Sequence, residues 1–281
     1  MPQTHTSPVD ALRDGYHAES YWPGDYLTGA ALHLNTLGIL NRPITDHDRT
    51  VTETTLTGLR DTDLDVTDVF PFGTVWALLS TGALRGGPDL DTQLADWRRW
   101  EETDHYGEPL TFLPSLPPVL LLDVDGVVNA STPGWSAPPR KGYASDSTRE
   151  YALRWAPALI DRIRSLHKSG LVEVRWCTTW CAYADQLERL WALPTLGRAF
   201  TDDINGHTAA LAKLTAARHV LTAGRRLIWA DDSEVPLYGE VHDELIEGGR
   251  ALLIRPKAST GLQPEHLDQI EVFARKATSD G

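Results

Sequence analysis

Residues 119–130 read VLLLDVDGVVNA: four apolar, strand-forming residues run into Asp123 and Asp125, and Gly126 follows. A continuous apolar run, rather than an alternating one, suits a strand buried on both faces of a parallel sheet. Its polar carboxyl end then falls where open α/β sheets place their ligands. Two carboxylates one residue apart repel each other unless a cation lies between them or one keeps its proton. A hard divalent ion held by one or two carboxylates is the usual arrangement of magnesium beside a phosphate. The stretch therefore points to a central strand with phosphoryl chemistry at its end.

Downstream of it the chain alternates. The pattern predicts a strand over 119–123, an irregular Pro/Gly-rich segment over 129–146, a helix over 157–168, a strand over 171–177 and a helix over 181–192. It continues with a short strand near 197–200, a helix over 207–220, a strand over 226–230, a helical stretch after Pro236, a strand over 251–254 and a final helix over 264–276. Such alternation predicts an α/β fold, a Rossmann-like parallel sheet with helices on both faces. Upstream, Pro109, Pro114, Pro117 and Pro118 interrupt periodic structure, so 111–118 is expected to be a linker between a domain over 1–110 and a second over 119–281.

The first domain reads as smaller and mostly helical, with apolar periodicity over 26–40, a segment over 45–60 behind an Asp/Thr cap, an apolar run over 75–84 and an amphipathic stretch over 89–102. It contains no chemical motif. Trp97 and Trp100 could face a partner, but aromatics at i and i+3 on an amphipathic helix more often build a core.

The 281 residues carry a formal charge of −13 with 41% hydrophobic content, enough for a sizeable core. Residues 1–115 hold seven arginines, no lysine and 18 acidic residues, so the acidity is concentrated there. A field of that sign opposes nonspecific binding to nucleic acid, though not a short nucleic-acid end in a locally basic pocket. No segment approaches the roughly 18 apolar residues of a membrane span, and the amino terminus lacks the pattern of a secretory signal, so the expectation is a cytoplasmic protein. Cys177 and Cys181, the only cysteines, are expected to be reduced thiols rather than a zinc site.

Three further signals fall where strands should end or between them: Thr178 and Thr179 after LVEVRWC, Lys213 on a helix, and Asp231 with Asp232 after RLIWA. In the order DxD, Thr, Lys, DD, this resembles the haloacid dehalogenase-like (HAD) superfamily of phosphohydrolases over residues 119–275. The segments DVDGVVN, WCTTW, IWADD and LLIRPKASTGLQPEH look like the HAD domain of Swiss Army Knife RNA repair proteins. The resemblance implies a role for each residue. Asp123 would be the nucleophile that forms an aspartyl-phosphate, and Asp125 would protonate the leaving oxygen and then activate water. Thr178, or less directly Thr179, would bind a phosphate oxygen, with Gly126 nearby, and Lys213 would neutralise charge. Asp231 and Asp232, with the Asp123 carboxylate and the Asp125 backbone carbonyl, would hold Mg2+. Arg225 and Arg226 are competing candidates for the role of Lys213. Taken singly, each residue also has a structural reading as a turn, a cap or a solvated lysine.

In place of a folded lid, the insertion over 129–147 offers Trp135, Arg140, Lys141 and Tyr143. Arg140 and Lys141 could meet an anionic group, and the aromatics could stack on a base or merely anchor a loop. The expected activity is a magnesium-dependent phosphatase acting on a small phosphorylated substrate or a nucleic-acid end, with the acidic domain as lid or docking surface. The alternatives are a non-catalytic scaffold with an acidic interaction domain, and a phosphotransferase. No GxxxxGK[ST] loop is present, which excludes a fused P-loop kinase.

Overall fold

In the computed structural model the chain divides into two compact units, Met1–Leu116 and Pro117–Gly281; the structure describes residues 7–15, 22–62, 64–104, 110, 112–204 and 206–276.

The first unit is helical: α1 (Pro8–Gly15), α2 (Pro23–Thr36), α3 (Asp46–Arg60), α4 (Val66–Ser80) and α5 (Pro88–Asp104). α4 is its core. Every residue from Val69 to Leu79 is buried, as expected of a helix apolar on all sides. A Cβ on Gly73 would run into Leu59 and Leu56, so α3 lies against α4 where only a hydrogen fits. α3 starts as its sequence foretells, with Thr45 Oγ1 accepting from the Asp48 amide and Asp48 accepting from the Thr45 amide. Trp97 is buried and stacks on Phe72 with ring centroids 4.9 Å apart, which makes it core rather than a docking surface. The Trp100 side chain and Pro109 lie outside the described residues.

The stretch expected to be a linker is largely part of this unit. Phe112, Leu113 and Leu116 pack against its core, and Trp76 Nε1 donates to the Pro114 carbonyl at 2.7 Å. The prolines stop helix and strand, yet extended backbone can still lay apolar side chains on a helical surface.

The second unit is α/β. Its strands and helices follow as β1 (Val119–Leu122), β2 (Arg140–Ser145), β3 (Glu150–Trp155), α6 (Pro157–Lys168), β4 (Glu173–Trp176), α7 (Ala184–Leu190), β5 (Gly197–Arg198), α8 (Gly206–Thr222), β6 (Leu227–Ala230), α9 (Glu240–Ile246), β7 (Ala251–Ile254) and α10 (Pro264–Lys276). Five strands form a parallel sheet in the order β5-β4-β1-β6-β7, compatible with a Rossmann-like fold. All four residues of β1 are buried, and their side chains alternate between the two faces. Leu120 and Leu122 meet the side covered by α6, α7 and α10, whereas Val119 and Leu121 meet the side of α8 and α9. The segment expected to be irregular over 129–146 instead leads into an antiparallel hairpin, β2 with β3, in which Arg140 pairs with Trp155 and Ser145 with Glu150. Its strands were hidden because they lie off the main sheet and bury only Ala144, Leu153 and Trp155 among exposed and half-buried residues, so no apolar run marks them.

Candidate active site

β1 sits in the middle of the sheet, and successive strands leave it first toward β4 and β5 and then toward β6 and β7. The connection reverses direction between β1 and β6, and ligands of open α/β sheets bind at the carboxyl ends flanking such a point. Asp123 follows β1 and Asp231 follows β6. The register is pinned on both sides: the Asp123 amide donates to the Ala230 carbonyl at 3.1 Å, and the Cys177 amide donates to the Leu122 carbonyl at 2.9 Å.

Past Asp123 the backbone turns sharply, and the amides of Val127, Val128 and Asn129 all converge on the Val124 carbonyl. Gly126 makes the turn with φ +72°, and a Cβ there would overlap the carboxylate of Asp232. Gly126 is therefore required both by its left-handed backbone and by the acidic group that lies over it. The turn also divides the two acids of the motif, leaving Asp123 buried and Asp125 exposed.

Lys213, buried on α8, joins the strand ends. Its Nζ donates to Asp123 Oδ2 at 2.8 Å and to Asp231 Oδ2 at 2.6 Å. Burial opposes the ammonium charge, but the two carboxylates outweigh it and raise the lysine pKa. Asp231 is fully buried. Burial acts against its charge too, yet Lys213 and the amides of Glu234 and Ser233, which donate to Oδ1 at 2.8 and 3.0 Å, hold its pKa below the ordinary carboxylate value. Asp123 behaves oppositely. Burial lifts it to about 7, Lys213 works against the rise and the charge of Asp231 adds to it. Burial and then the neighbouring Asp231 also raise the Asp232 pKa.

Carboxylate oxygens of Asp123, Asp231 and Asp232 lie within 4.8 Å of one another. This all-oxygen donor set, without thiolate or imidazole, suits a hard cation such as magnesium rather than zinc. The Asp125 carboxylate is not part of this trio. Its Oδ1 accepts from Asn129 Nδ2 at 2.7 Å and its Oδ2 from Trp180 Nε1 at 2.9 Å.

Thr178 is buried beyond the end of β4, the strand paired with β1, and its Oγ1 accepts from the Trp180 amide at 3.4 Å. Thr179 is half-buried beside it. Arg225 and Arg226 drop out as substitutes for Lys213. Arg225 donates to Glu173 at 2.9 Å and to the Pro117 carbonyl at 2.7 Å, at the amino-terminal end of the sheet. Arg226 donates to the Phe273 carbonyl at 2.5 Å and stacks on the Phe273 ring. Burial pushes the Cys181 thiol up to about 11 and Cys177 well above its ordinary value, so neither is a thiolate at neutral pH.

The hairpin carries Arg140 and Lys141 exposed on β2, and among the described residues neither side chain has a hydrogen-bond or ion-pair partner. Tyr143 is 65% exposed beside them. Trp135 instead is an anchor, packed on the core with Nε1 donating to the Leu262 carbonyl at 2.9 Å. Asn129 and Trp180 were given no role in the sequence reading. Both lie inside quoted motifs, DVDGVVN and WCTTW, but Trp180 is 55 positions from Asp125, and Asn129, four positions from it, reaches back to it only because the backbone turns at Gly126.

No family model, curated protein or solved structure matches this chain. Among the described residues no helix is long and apolar enough to cross a membrane.

Proposed function

We propose that the protein is a magnesium-dependent phosphohydrolase of the HAD type that cleaves a phosphomonoester, a small phosphorylated substrate or a nucleic-acid end, in the cytoplasm. The observation that carries this reading is the convergence of Asp123, Lys213, Asp231 and Asp232 where β1 and β6 end, on either side of the switch point of the sheet. A purely structural role would not need two carboxylates and one lysine to be buried together beside a third, half-buried carboxylate, because paired burial of charge costs about as much as it returns.

The residues divide the work. The Asp123 carboxylate attacks phosphorus and the leaving oxygen departs, which leaves an aspartyl-phosphate that water then hydrolyses. Lys213 lies 2.8 Å from the nucleophile and holds negative charge there. Thr178 offers its hydroxyl to a phosphate oxygen from the neighbouring strand end. Asp125, exposed where Asp123 is buried, is the acid and then the base. Asp123, Asp231 and Asp232 would hold magnesium, which when bound neutralises charge on the phosphoryl group. The unpartnered Arg140 and Lys141 suit a second anionic feature of the substrate.

The test is phosphate release from a panel of phosphate esters with magnesium or with EDTA. Wild-type protein is expected to turn over at least one ester only with magnesium, and Asp123→Asn is expected to abolish turnover on all of them with the fold retained. Unchanged turnover by that variant refutes the assignment.

A further inference from the structure

Both oxygens of the Asp125 carboxylate are engaged by neutral donors, the Asn129 amide at 2.7 Å and the Trp180 indole at 2.9 Å. Both donors are themselves held from the hairpin. Asn129 Oδ1 accepts from the Arg154 amide of β3 at 2.8 Å, which orients its amide group so that Nδ2 faces Asp125. Its backbone is fixed as well, since the Gly126 amide donates to the Asn129 carbonyl at 2.8 Å. The Trp180 ring lies edge-on to Tyr151 of β3, with centroids 5.3 Å apart, and Tyr151 is tied by its hydroxyl to Asp146 at 2.8 Å. The hairpin is docked on α7 through paired bonds between Ser145 and Gln186 at 3.0 and 2.8 Å. An exposed aspartate would otherwise sample several rotamers. Here its carboxylate plane is set by two fixed directions.

We propose that Asn129 and Trp180 are positioning residues that aim the Asp125 carboxyl at the leaving oxygen, with strand β3 holding both in place. The proposal rests on the phosphohydrolase reading and adds two residues and the hairpin to it. In the first step the P–O bond breaks with its electron pair going to the leaving oxygen, and the Asp125 proton moves to that oxygen. Asp125 is left as a carboxylate, which takes a proton from the attacking water in the second step. Each Asp125 oxygen has a second lone-pair direction, so the fixed donors occupy one side and leave the other for the travelling proton. Neither donor can take up the proton, because an indole and an amide N–H only donate.

The leaving group supplies the readout. A poor alkoxide leaving group needs the proton from Asp125, whereas an activated phenolate departs without much help. A misaimed acid therefore lowers kcat/KM for an alkyl phosphate far more than for p-nitrophenyl phosphate. The value of kcat/KM is the one to follow because it covers steps only up to departure of the leaving group. Trp180→Phe keeps the ring against Tyr151 and removes the donor, and Asn129→Ala removes the other donor at a half-buried position should the tryptophan variant fold poorly. Each is expected to lower the alkyl-to-aryl ratio of kcat/KM at least about tenfold. In an Asp125→Ala background the same substitutions are expected to leave that ratio where Asp125→Ala alone puts it. Equal losses on both esters, an unchanged ratio, or a further drop of the ratio in the Asp125→Ala background overturns the positioning role while the phosphohydrolase reading survives. Full activity of Asp123→Asn, or a wild-type protein that releases phosphate from neither ester, sinks that reading and this inference with it.

Discussion

Lys213 Nζ donates to Asp123 Oδ2 at 2.8 Å although 90 positions separate the two residues. The same nitrogen reaches Asp231, so one buried cation bridges the ends of β1 and β6. The bridge holds the acids in place without a metal. It also makes each of the three residues costly to remove alone.

Replacing Lys213 with Met leaves Asp123 and Asp231 buried without their counter-charge. The variant is expected to lose about 3–5 kcal/mol of stability in EDTA, read from urea unfolding, with partial recovery in magnesium. Its kcat is expected to fall by about a hundredfold to a thousandfold. A stability loss under 1 kcal/mol in EDTA would contradict the bridging role.

Gly126→Ala places a methyl group where the Asp232 carboxylate lies and forces a side chain onto a backbone with φ +72°. We expect a loss of about 1–2 kcal/mol from the backbone alone and an apparent magnesium affinity about tenfold weaker, similar to Asp232→Asn. Calorimetric titration of magnesium into both variants checks this. Wild-type affinity in both would remove Asp232 from the ligand set.

Burial lifts Asp123 to about 7, and a magnesium ion held as proposed would need its ionised form. The folded, metal-free protein thus holds a proton that the unfolded chain releases near the ordinary carboxylate pKa of about 4. The Asp123 contribution to stability in EDTA is therefore greatest below that value and is lost as pH rises through about 7. Magnesium binding should release this proton, so apparent affinity is expected to climb by up to about tenfold per pH unit below 7 and to level off above it. Titrations in buffers of different ionisation enthalpy should find proton release at pH 6 that vanishes near pH 8.5.

At the opposite end of the sheet, burial works against the Glu173 charge, but Arg175 and Arg225 outweigh it and hold the carboxyl down to about 2. Its folded pKa lies below the unfolded value, so the stabilisation is complete above about 4.3 and is lost as pH falls toward 2. Glu173→Gln is expected to cost about 3–5 kcal/mol at pH 7, because two guanidinium groups stay buried without their anion. The variant should also show a flatter acid limb in urea midpoints measured from pH 2 to 6. An acid limb parallel to wild type would show that other groups govern acid unfolding.

Much of the site was legible because strand ends announce themselves. VLLLD and LIWADD each pass from buried apolar residues to acidic ones in a single step, and EVRWCTT, although it carries the buried charges Glu173 and Arg175, ends its buried run in two threonines; these steps mark the carboxyl edge of the sheet. Lys213 was harder to assign, since three cations compete for one role in one dimension. Only the pairing of Arg225 with Glu173 and of Arg226 with Phe273 removes the rivals. The hairpin escapes a sequence reading because RKGYAS and EYALRW bury Ala144, Leu153 and Trp155 singly, with no continuous apolar stretch. Of the linker expected over 111–118, Phe112 to Leu116 proved to be packed chain, since proline reports what the backbone cannot form and not what its neighbours touch.

By itself the sequence determined the order of the parallel-sheet strands and of the helices between them in the second unit, though not the β2–β3 hairpin, and with it the edge of the sheet to which Asp123, Thr178 and Asp231 belong. These follow from local hydrophobicity and its period, which each segment carries alone. Only tertiary structure decided which acids share a cation-sized space, that Asp125 is held apart by Asn129 and Trp180, and that Asp123 and Asp231 are pushed in opposite directions in pKa. Those properties depend on distance, burial and the charges around a group, and folding brings such neighbours together from positions far apart along the chain.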